Sequence, residues 1–188
     1  MAIERVKCDL LIIGAGAIGF SIGIAYLDAN PGKKVLIADK ENQIGKHASG
    51  RNSGVLHAGF YYSPESLKAK FCRDGNVELR KIAKKYSIQI RDVGKVVVAR
   101  NEEENLRLDK LFERGLQNGV DLELLDEQSL KQFEPLAQTT GRFLWSPTTA
   151  VSDSGMMINA LRKEFERLGG SVVLAERIDL VEVSGMIH

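Results

Sequence analysis

Short apolar runs alternate along the chain with longer stretches in which apolar residues recur every three or four positions. The short runs predict β-strands, in chain order at 8–13, 35–38, 93–99, 122–125, 141–145, 150–151, 172–174 and 180–183. The longer stretches predict helices from the first glycine-rich turn to about 30, over about 63–86 and 102–119, over 154–168, and briefly between 126 and 135. This alternation of strands and helices indicates an α/β fold.

Capping and turn residues mark where several of these elements begin or end. Ser63-Pro64-Glu65 is typical of a helix start, with Ser63 as the N-cap and Pro64 in the first helical position. Gly169-Gly170 is typical of a helix C-cap. Residues 40–59, rich in Gly, Ser, Asn and His, are expected to form a long loop.

The first forty residues combine a strand, a glycine-rich turn, a helix and a second strand that ends in an acid. In the turn, Gly14 makes the tight exit from the strand, Gly16 lets a pyrophosphate approach the backbone, and Gly19 lets the helix pack closely on the sheet. The helix N-terminus offers unpaired N–H groups to phosphates. Asp39 follows Gly19 by 20 residues, the spacing at which a carboxylate accepts hydrogen bonds from a ribose 2′-OH. This combination predicts a dinucleotide site and disfavours a 2′-phosphate.

A membrane-spanning segment is the main alternative for this region. Residues 10–27 carry almost no charge, and basic residues precede them as in a signal peptide. An aspartate stands at either end of the run, however, and no small-residue cleavage site follows it. We therefore predict a soluble protein without a targeting sequence or a transmembrane segment.

Composition narrows the class of protein further. The 188 residues suggest one domain, or one domain and part of another, and 44% hydrophobic residues suffice for a core. The formal net charge is only +1, so no nucleic-acid partner is expected. The two cysteines and three histidines show no metal-ligand spacing, so no metal is expected either. The cysteines fit a reducing compartment, and we predict a cytoplasmic protein, with peripheral membrane association left open.

A second glycine-rich stretch distinguishes between the common dinucleotides. Residues 44–59 read Ile-Gly-Lys-His-Ala-Ser-Gly-Arg-Asn-Ser-Gly-Val-Leu-His-Ala-Gly. Small residues let the backbone pass close to a bulky ligand, and their N–H groups can bind phosphate or flavin-ring oxygens. Because an NAD domain has no need for such a stretch, we predict FAD as the cofactor. A flexible surface loop of turn-forming residues is the alternative.

The first glycine-rich turn, Asp39 and residues 48–54 resemble the D-amino-acid-oxidase-like family of FAD-dependent oxidoreductases. Within that family, residues 51–62 and 64–72 are similar to L-2-hydroxyglutarate oxidases and dehydrogenases, more than to glycine-, sarcosine- or glycerol-3-phosphate-oxidising relatives. The resemblance covers essentially the whole chain. Many relatives carry Glu where this chain has Asp39, and the shorter acid can still bond a ribose.

The resemblance implies a Rossmann-like FAD-binding fold interrupted by a β-rich part of a substrate domain. Residues 1–87 and 152–188 would belong to the FAD-binding domain, and residues 88–151 to the substrate domain. Members of this family run to about twice this length, on the size scale of two-domain proteins. We therefore expect the FAD-binding fold to be incomplete here, and the 188 residues alone to bind FAD weakly, to be poorly soluble or to need a complementary C-terminal polypeptide.

The resemblance also assigns the cofactor contacts. The glycine-rich turn and Asp39 would hold the ADP half of FAD, and residues 49–54 would lie along the pyrophosphate and toward the isoalloxazine. The full set is Gly14, Gly16, Ala17, Ile18, Gly19, Asp39, Lys40, Ser49, Arg51, Asn52, Ser53 and Gly54.

Oxidation of a 2-hydroxy acid removes a hydride from C2 and a proton from the hydroxyl. The proton needs a base that titrates near the working pH, which makes histidine the natural candidate. We predict His57, at the end of the second glycine-rich stretch, as this catalytic base. A structural histidine and a covalent attachment point for the flavin are the alternatives, whereas His47 is expected to be an exposed loop residue.

A dicarboxylate substrate needs cations, which arginine and lysine supply. Lys68 and Lys70 are the predicted substrate residues, with Arg51 and Arg73 as further local cations. Solvated positions on an amphipathic helix are the alternative for both lysines. Tyr61 is predicted to form a wall of the same pocket, or else to pack in the core.

Together these features predict an FAD-dependent enzyme that oxidises a small 2-hydroxy acid, L-2-hydroxyglutarate to 2-oxoglutarate, by hydride transfer to the flavin. Two alternatives stay open: oxidation of another small amine or acid on the same scaffold, and an inactive FAD-fold fragment or subunit. The sequence does not identify the electron acceptor, whether quinone, oxygen or a carrier protein.

Overall fold

The computed structural model describes residues 6–178, which form two compact units. The first unit combines residues 6–52 with residues 154–178, and the second consists of residues 53–153. The predicted strand at 180–183 lies outside the described residues. The compact units change at residues 52 and 153. The functional domain boundaries predicted at 87 and 151 stay predictions.

Strands and helices alternate through both units. The strands are β1 (Leu10–Ile13), β2 (Val35–Ala38), β3 (Val55–Leu56), β4 (Ile90–Arg91), β5 (Lys95–Val98), β6 (Glu123–Asp126), β7 (Arg142–Ser146), β8 (Ala150–Ser152) and β9 (Ser171–Val173). The helices are α1 (Ala17–Ala29), α2 (Leu67–Lys85), α3 (Glu102–Gln117), α4 (Leu130–Phe133) and α5 (Ser154–Arg167), with a 3₁₀ turn over Glu127–Ser129. The α/β prediction is confirmed.

The first unit is a parallel sheet of order β1-β2-β9 that packs against α1 and α5. Leu10 pairs with Val35, and Leu36 pairs with Ser171, so the predicted third strand joins the sheet beside β2. The two helices meet where the rings of Phe20 and Phe165 pack edge to face, with centroids 5.9 Å apart. This buried contact fixes the start of α1 over the carboxyl ends of the strands, where α/β sheets bind ligands.

The second unit contains two antiparallel sheets, β3-β8-β4 and β5-β7-β6. Val55 pairs with Val151, and the Ser152 N–H donates to the Gly54 carbonyl at 2.9 Å, so the two ends of this unit run side by side. The strands β7 and β8 flank the predicted turn at Pro147, yet they belong to different sheets. The buried core comprises Ala58, Phe60, Ala99, Leu108, Val120, Leu122 and Leu144.

The predicted start of the second helix is wrong by three residues. The N-cap is Ser66, whose hydroxyl accepts from the Ala69 N–H at 3.2 Å, and the helix begins at Leu67. The Ser66 N–H and hydroxyl both donate to the Ser63 carbonyl, so Ser63-Pro64-Glu65 forms a separate turn before the helix. Ser66 offers the same capping chemistry as Ser63, and local sequence alone does not choose between them.

Two further elements differ from the sequence prediction. The loop expected over 40–59 contains the two-residue strand β3, and β4 precedes β5 without a sequence signal. Both are too short for period-two alternation to reveal, and both exist because they pair with β8. The other helix ends agree with the prediction: the Gly170 N–H donates to the Phe165 carbonyl, and Asp126 caps the short turn before α4.

Within residues 6–178, no helix combines the length and the apolarity that a membrane span requires. The run at 10–27 instead divides into β1, the glycine-rich turn and most of α1. The predicted cytoplasmic location stays a prediction.

We expect the variant Gly75→Ala to stabilise the protein. Gly75 lies inside α2, and a Cβ added there would meet no atom within 4 Å. Alanine restricts the unfolded chain more than glycine does, so the free energy of unfolding should rise by about 0.5–1 kcal/mol, measured by urea denaturation. Gly94→Ala is the opposite control, because Gly94 has φ +64° and its Cβ would overlap the Trp145 ring. Equal effects of the two substitutions would contradict the prediction.

Candidate functional site

The turn between β1 and α1 is built for the close approach of a ligand. Gly14 leaves the strand with φ +119°, and its N–H donates to the Ala38 carbonyl at 2.8 Å. A Cβ on Gly19 would overlap the Gly14 carbonyl oxygen, so this glycine packs the helix onto the turn. Gly16 is the N-cap of α1 and supplies no side-chain cap, which leaves the positive end of the helix dipole open to an anion.

Ser49 reaches this helix N-terminus from the second glycine-rich stretch. Its hydroxyl accepts from the Ala17 N–H at 3.0 Å, and a Cβ on Gly16 would lie 3.0 Å from the same oxygen. The predicted cofactor residues Gly16, Ala17 and Ser49 therefore meet at one point. Ile18, the next residue of the set, has a largely exposed side chain. This arrangement of a helix end with a glycine N-cap, a missing Cβ and a hydroxyl fits a pyrophosphate.

The second glycine-rich stretch is a compact turn held against the first. The Gly45 N–H donates to the Ala15 carbonyl at 2.9 Å, and a Cβ on Gly50 would overlap the Gly45 carbonyl. Asn52 donates to the carbonyls of Ala48 and Ser49 at 3.1 and 2.9 Å. These bonds hold Ser49 in place, so residues 45–52 are an ordered part of the first unit.

Asp39 joins the two chain segments that border the turn. Its Oδ2 accepts from the Ala15 N–H at 2.7 Å, and its Oδ1 accepts from the Glu41 N–H at 2.9 Å. Each carboxylate oxygen can accept more than one hydrogen bond, so capacity for a ribose hydroxyl remains. The ribose contact stays a prediction, while the structural bond to Ala15 is a role that the spacing did not indicate. Lys40 follows with an exposed side chain.

His47 belongs to an ion-pair cluster on the same loop. Glu41 contacts Lys46 Nζ at 2.6 Å and His47 Nε2 at 3.0 Å. Hydrogen bonds to the Glu41 carboxyl lower its pKa below the ordinary value, and the bond from Lys46 has a larger effect than the bond with His47. The His47 side chain is exposed but engaged, and it takes no further part in the candidate site.

The remaining predicted cofactor residues lie on either side of the unit boundary. Arg51 ends the compact turn with an exposed side chain, and its N–H donates to the His47 carbonyl at 3.0 Å. Ser53 is exposed in the second unit. Gly54 has φ +68°, and a Cβ there would overlap the Ser152 carbonyl oxygen, so only glycine fits beside β8.

His57 directly follows β3 in the second unit and has an exposed side chain. Its carbonyl accepts from Asn76 Nδ2 at 3.3 Å, but its imidazole bonds no other side chain or backbone group among residues 6–178. Partial burial, aided by the positive charge of Lys95, lowers the pKa of the imidazole below its ordinary value. The ring is therefore neutral at neutral pH, with a lone pair available to accept a proton.

The cations predicted for substrate binding lie on α2. Lys68 and Lys70 have exposed side chains on α2, and Lys68 Nζ lies 5.8 Å from the Tyr62 ring centroid. Lys70 lines an open cleft of about 260 Å³ together with Arg73, and the lining of that cleft includes neither His57 nor Tyr61. The substrate role of Lys68 and Lys70 stays a prediction, and the described contacts of Lys68 and the cleft at Lys70 do not include His57.

Lys95 contacts the Tyr61 ring, and it is not among the candidate residues predicted from the sequence. Its Nζ is 4.6 Å from the Tyr61 ring centroid, a cation–π distance, and the Tyr61 ring packs on Phe60 with centroids 4.3 Å apart. The one available signal was a lysine inside the otherwise apolar run 93–99. Strand alternation alone does not show which side chain it meets.

Several known proteins are similar to this chain in sequence. The family described as "FAD dependent oxidoreductase" matches residues 9–186. Mitochondrial L-2-hydroxyglutarate dehydrogenase of Caenorhabditis briggsae is 36% identical over 182 residues, which is 96% of this chain and 42% of that protein. The L-2-hydroxyglutarate dehydrogenase of Indibacter alkaliphilus is 38% identical over 96% of this chain and 46% of its own length. The human mitochondrial L-2-hydroxyglutarate dehydrogenase is 34% identical over 94% of this chain and 38% of its own length. The chain thus spans less than half the length of these relatives.

Solved structures share the fold at lower identity. FAD-bound L-α-glycerophosphate oxidase of Mycoplasma pneumoniae superposes with a TM-score of 0.79 at 21% identity, over 91% of this chain and 45% of its own. Glycine oxidase of Geobacillus kaustophilus superposes with a TM-score of 0.79 at 21% identity, over 91% of this chain and 47% of its own. The architecture of this chain is therefore found in proteins that differ in substrate.

Proposed function

The chain belongs to the family of FAD-dependent oxidoreductases, and from that membership we propose that it serves the oxidation of L-2-hydroxyglutarate to 2-oxoglutarate. The observation that carries the proposal is its similarity, at 36% identity over 96% of the chain, to a protein named for that dehydrogenation. The neutral imidazole of His57, which bonds no other group among the described residues, supports it, because such a reaction needs a proton acceptor.

The residues of the chain divide the work of binding and proton transfer. The turn over 14–19, with Ser49 at the helix end, would hold the pyrophosphate, and Asp39 would accept from a ribose hydroxyl. When bound, FAD supplies the acceptor for the hydride that leaves C2. His57 would take the hydroxyl proton as the C2–O bond becomes a carbonyl, so that 2-oxoglutarate forms and the imidazole becomes protonated.

Anaerobic bleaching of the flavin tests this proposal. Once loaded with FAD, the protein should be yellow, and L-2-hydroxyglutarate should bleach its flavin in the absence of oxygen, whereas the D-enantiomer should not. Glycine and glycerol 3-phosphate are tested as alternative substrates, because two proteins of similar structure are named glycine oxidase and L-α-glycerophosphate oxidase. Bleaching by either of them, with none by L-2-hydroxyglutarate, would assign the chain to another substrate. A yellow protein that no substrate bleaches would support the inactive alternative.

A further inference from the structure

Lys95 is a half-buried cation that has no counter-ion in the described part of the chain. It begins β5, and among residues 6–178 its ammonium group pairs with no carboxylate. Its described contact is the face of the Tyr61 ring, 4.6 Å from Nζ to the centroid. Removing a charge from water is costly unless a partner of opposite sign compensates, and a ring face compensates only in part.

Two arginines of the second unit show how a cation is paired with a carboxylate within the fold. Arg80 contacts Asp92 at 2.7 Å, and Arg142 contacts Asp109 with two parallel hydrogen bonds of 2.8 and 2.9 Å. Their charges are thus used within the fold. Within residues 6–178, no carboxylate takes this role for Lys95.

The strand register places Lys95 on the face of β5 that packs toward the chain segment containing His57 and Tyr61. Side chains of a strand alternate, so Lys95 and Val97 share one face of β5. Val97 packs against the buried cluster that contains Ala58 and Phe60, which are the residues next to His57 and Tyr61. The electrostatic effect of Lys95 on the His57 imidazole agrees with this placement.

We propose that Lys95 binds a carboxylate of the 2-hydroxy acid substrate, with the Tyr61 ring holding its ammonium group beside His57. The proposal rests on the proposed function and replaces Lys68 and Lys70 with one positioned cation. The ammonium group of a lysine acts as a point charge and attracts a carboxylate without the bidentate hydrogen bonds that an arginine makes. The same positive charge favours the neutral form of His57, so that one residue serves both binding and the protonation state of the base.

Substrate binding and catalysis can be separated in the flavin-loaded enzyme. Glutarate is the binding probe, because it carries both carboxylates but has no hydroxyl to oxidise, and its Kd is read from the flavin spectrum or by calorimetry. Lys95→Met should weaken glutarate on the order of 10- to 100-fold and raise KM for L-2-hydroxyglutarate similarly, the usual scale for a charge-assisted hydrogen bond. Lys95→Arg should recover most of the loss, and Lys95→Gln repeats the test if the Met variant is unstable.

The pH profile gives a second readout. A cation near His57 disfavours the imidazolium, so removing the Lys95 charge raises the pKa of His57. The acid limb of kcat/KM should therefore move to higher pH in Lys95→Met and stay in place in Lys95→Arg. Lys110→Met, which removes an exposed lysine from α3 of the same unit, is the matched control and should leave Kd and the acid limb unchanged.

The outcomes separate this inference from the proposed function. If the unaltered enzyme oxidises L-2-hydroxyglutarate while Lys95→Met and Lys95→Gln keep glutarate affinity and the acid limb within error of Lys110→Met, the role of Lys95 is refuted and the function stands. If the unaltered enzyme oxidises a different carboxylic acid and Lys95→Met weakens that acid, the substrate assignment fails and the carboxylate role of Lys95 stands.

Discussion

The variant His57→Ala is expected to reduce its flavin about 10²- to 10⁴-fold more slowly than the unaltered protein, the usual scale for a lost general base. The imidazole bonds no other group among the described residues, so its removal leaves no buried polar atom unsatisfied and little structural cost. The measurement is the rate of flavin bleaching by L-2-hydroxyglutarate in an anaerobic stopped-flow experiment.

His47→Ala is the control for this result. Its imidazole is exposed and engaged with Glu41, so its loss should leave the reduction rate close to that of the unaltered protein. An unchanged rate in His57→Ala would remove the catalytic role. A large fall in flavin content in that variant would instead favour a structural role or a covalent attachment point.

Gly16→Val should bind FAD more than about tenfold more weakly, a loss of at least ~1.4 kcal/mol. A Cβ at this position would already lie 3.0 Å from Ser49 Oγ, and the valine methyl groups would occupy the space beside the end of α1. The pyrophosphate would then lose its approach to the backbone. Flavin released per mole of denatured protein measures the effect.

Gly75→Val provides the matched control, since it introduces the same side chain at a glycine of α2 with open space around it. That variant should keep its flavin. Normal flavin content in both variants would contradict the assignment of the 14–19 turn to the cofactor, whereas loss in both would indicate general instability.

The parts of the fold that sequence predicted well are those in which local pattern and tertiary structure agree. The run from β1 through the glycine-rich turn to β2 and Asp39 is continuous in sequence, and every part has a local signal. The strand β9 was predictable for the same reason, because Gly169-Gly170 ends α5 just before it. Sequence periodicity does not reveal β3 and β4, because each strand has only two residues. Both are strands only because they pair with β8.

Contacts between distant residues explain what sequence reasoning missed at the candidate site. The hydroxyl of Ser49 meets Ala17 across 32 residues, and the Asp39 carboxylate meets Ala15 across 24. Lys68 and Lys70 were attractive because they are near His57 in sequence, yet they lie exposed on α2. Lys95 is far from His57 along the chain, and only the folded sheet shows that it faces the same segment.

The pairing of β3 with β8 has a consequence for the order in which the protein folds. The strands β2 and β9 are neighbours in the parallel sheet, although the whole second unit lies between them in the chain. Loop-closure entropy grows with the length of chain to be closed, and contacts between distant segments form slowly. Once Val55 and Val151 are paired, the effective loop between β2 and β9 shrinks to the short segments outside the inserted unit. The two-residue strand β3, which is not part of the parallel sheet, thus shortens the loop that must close before β9 can pair with β2.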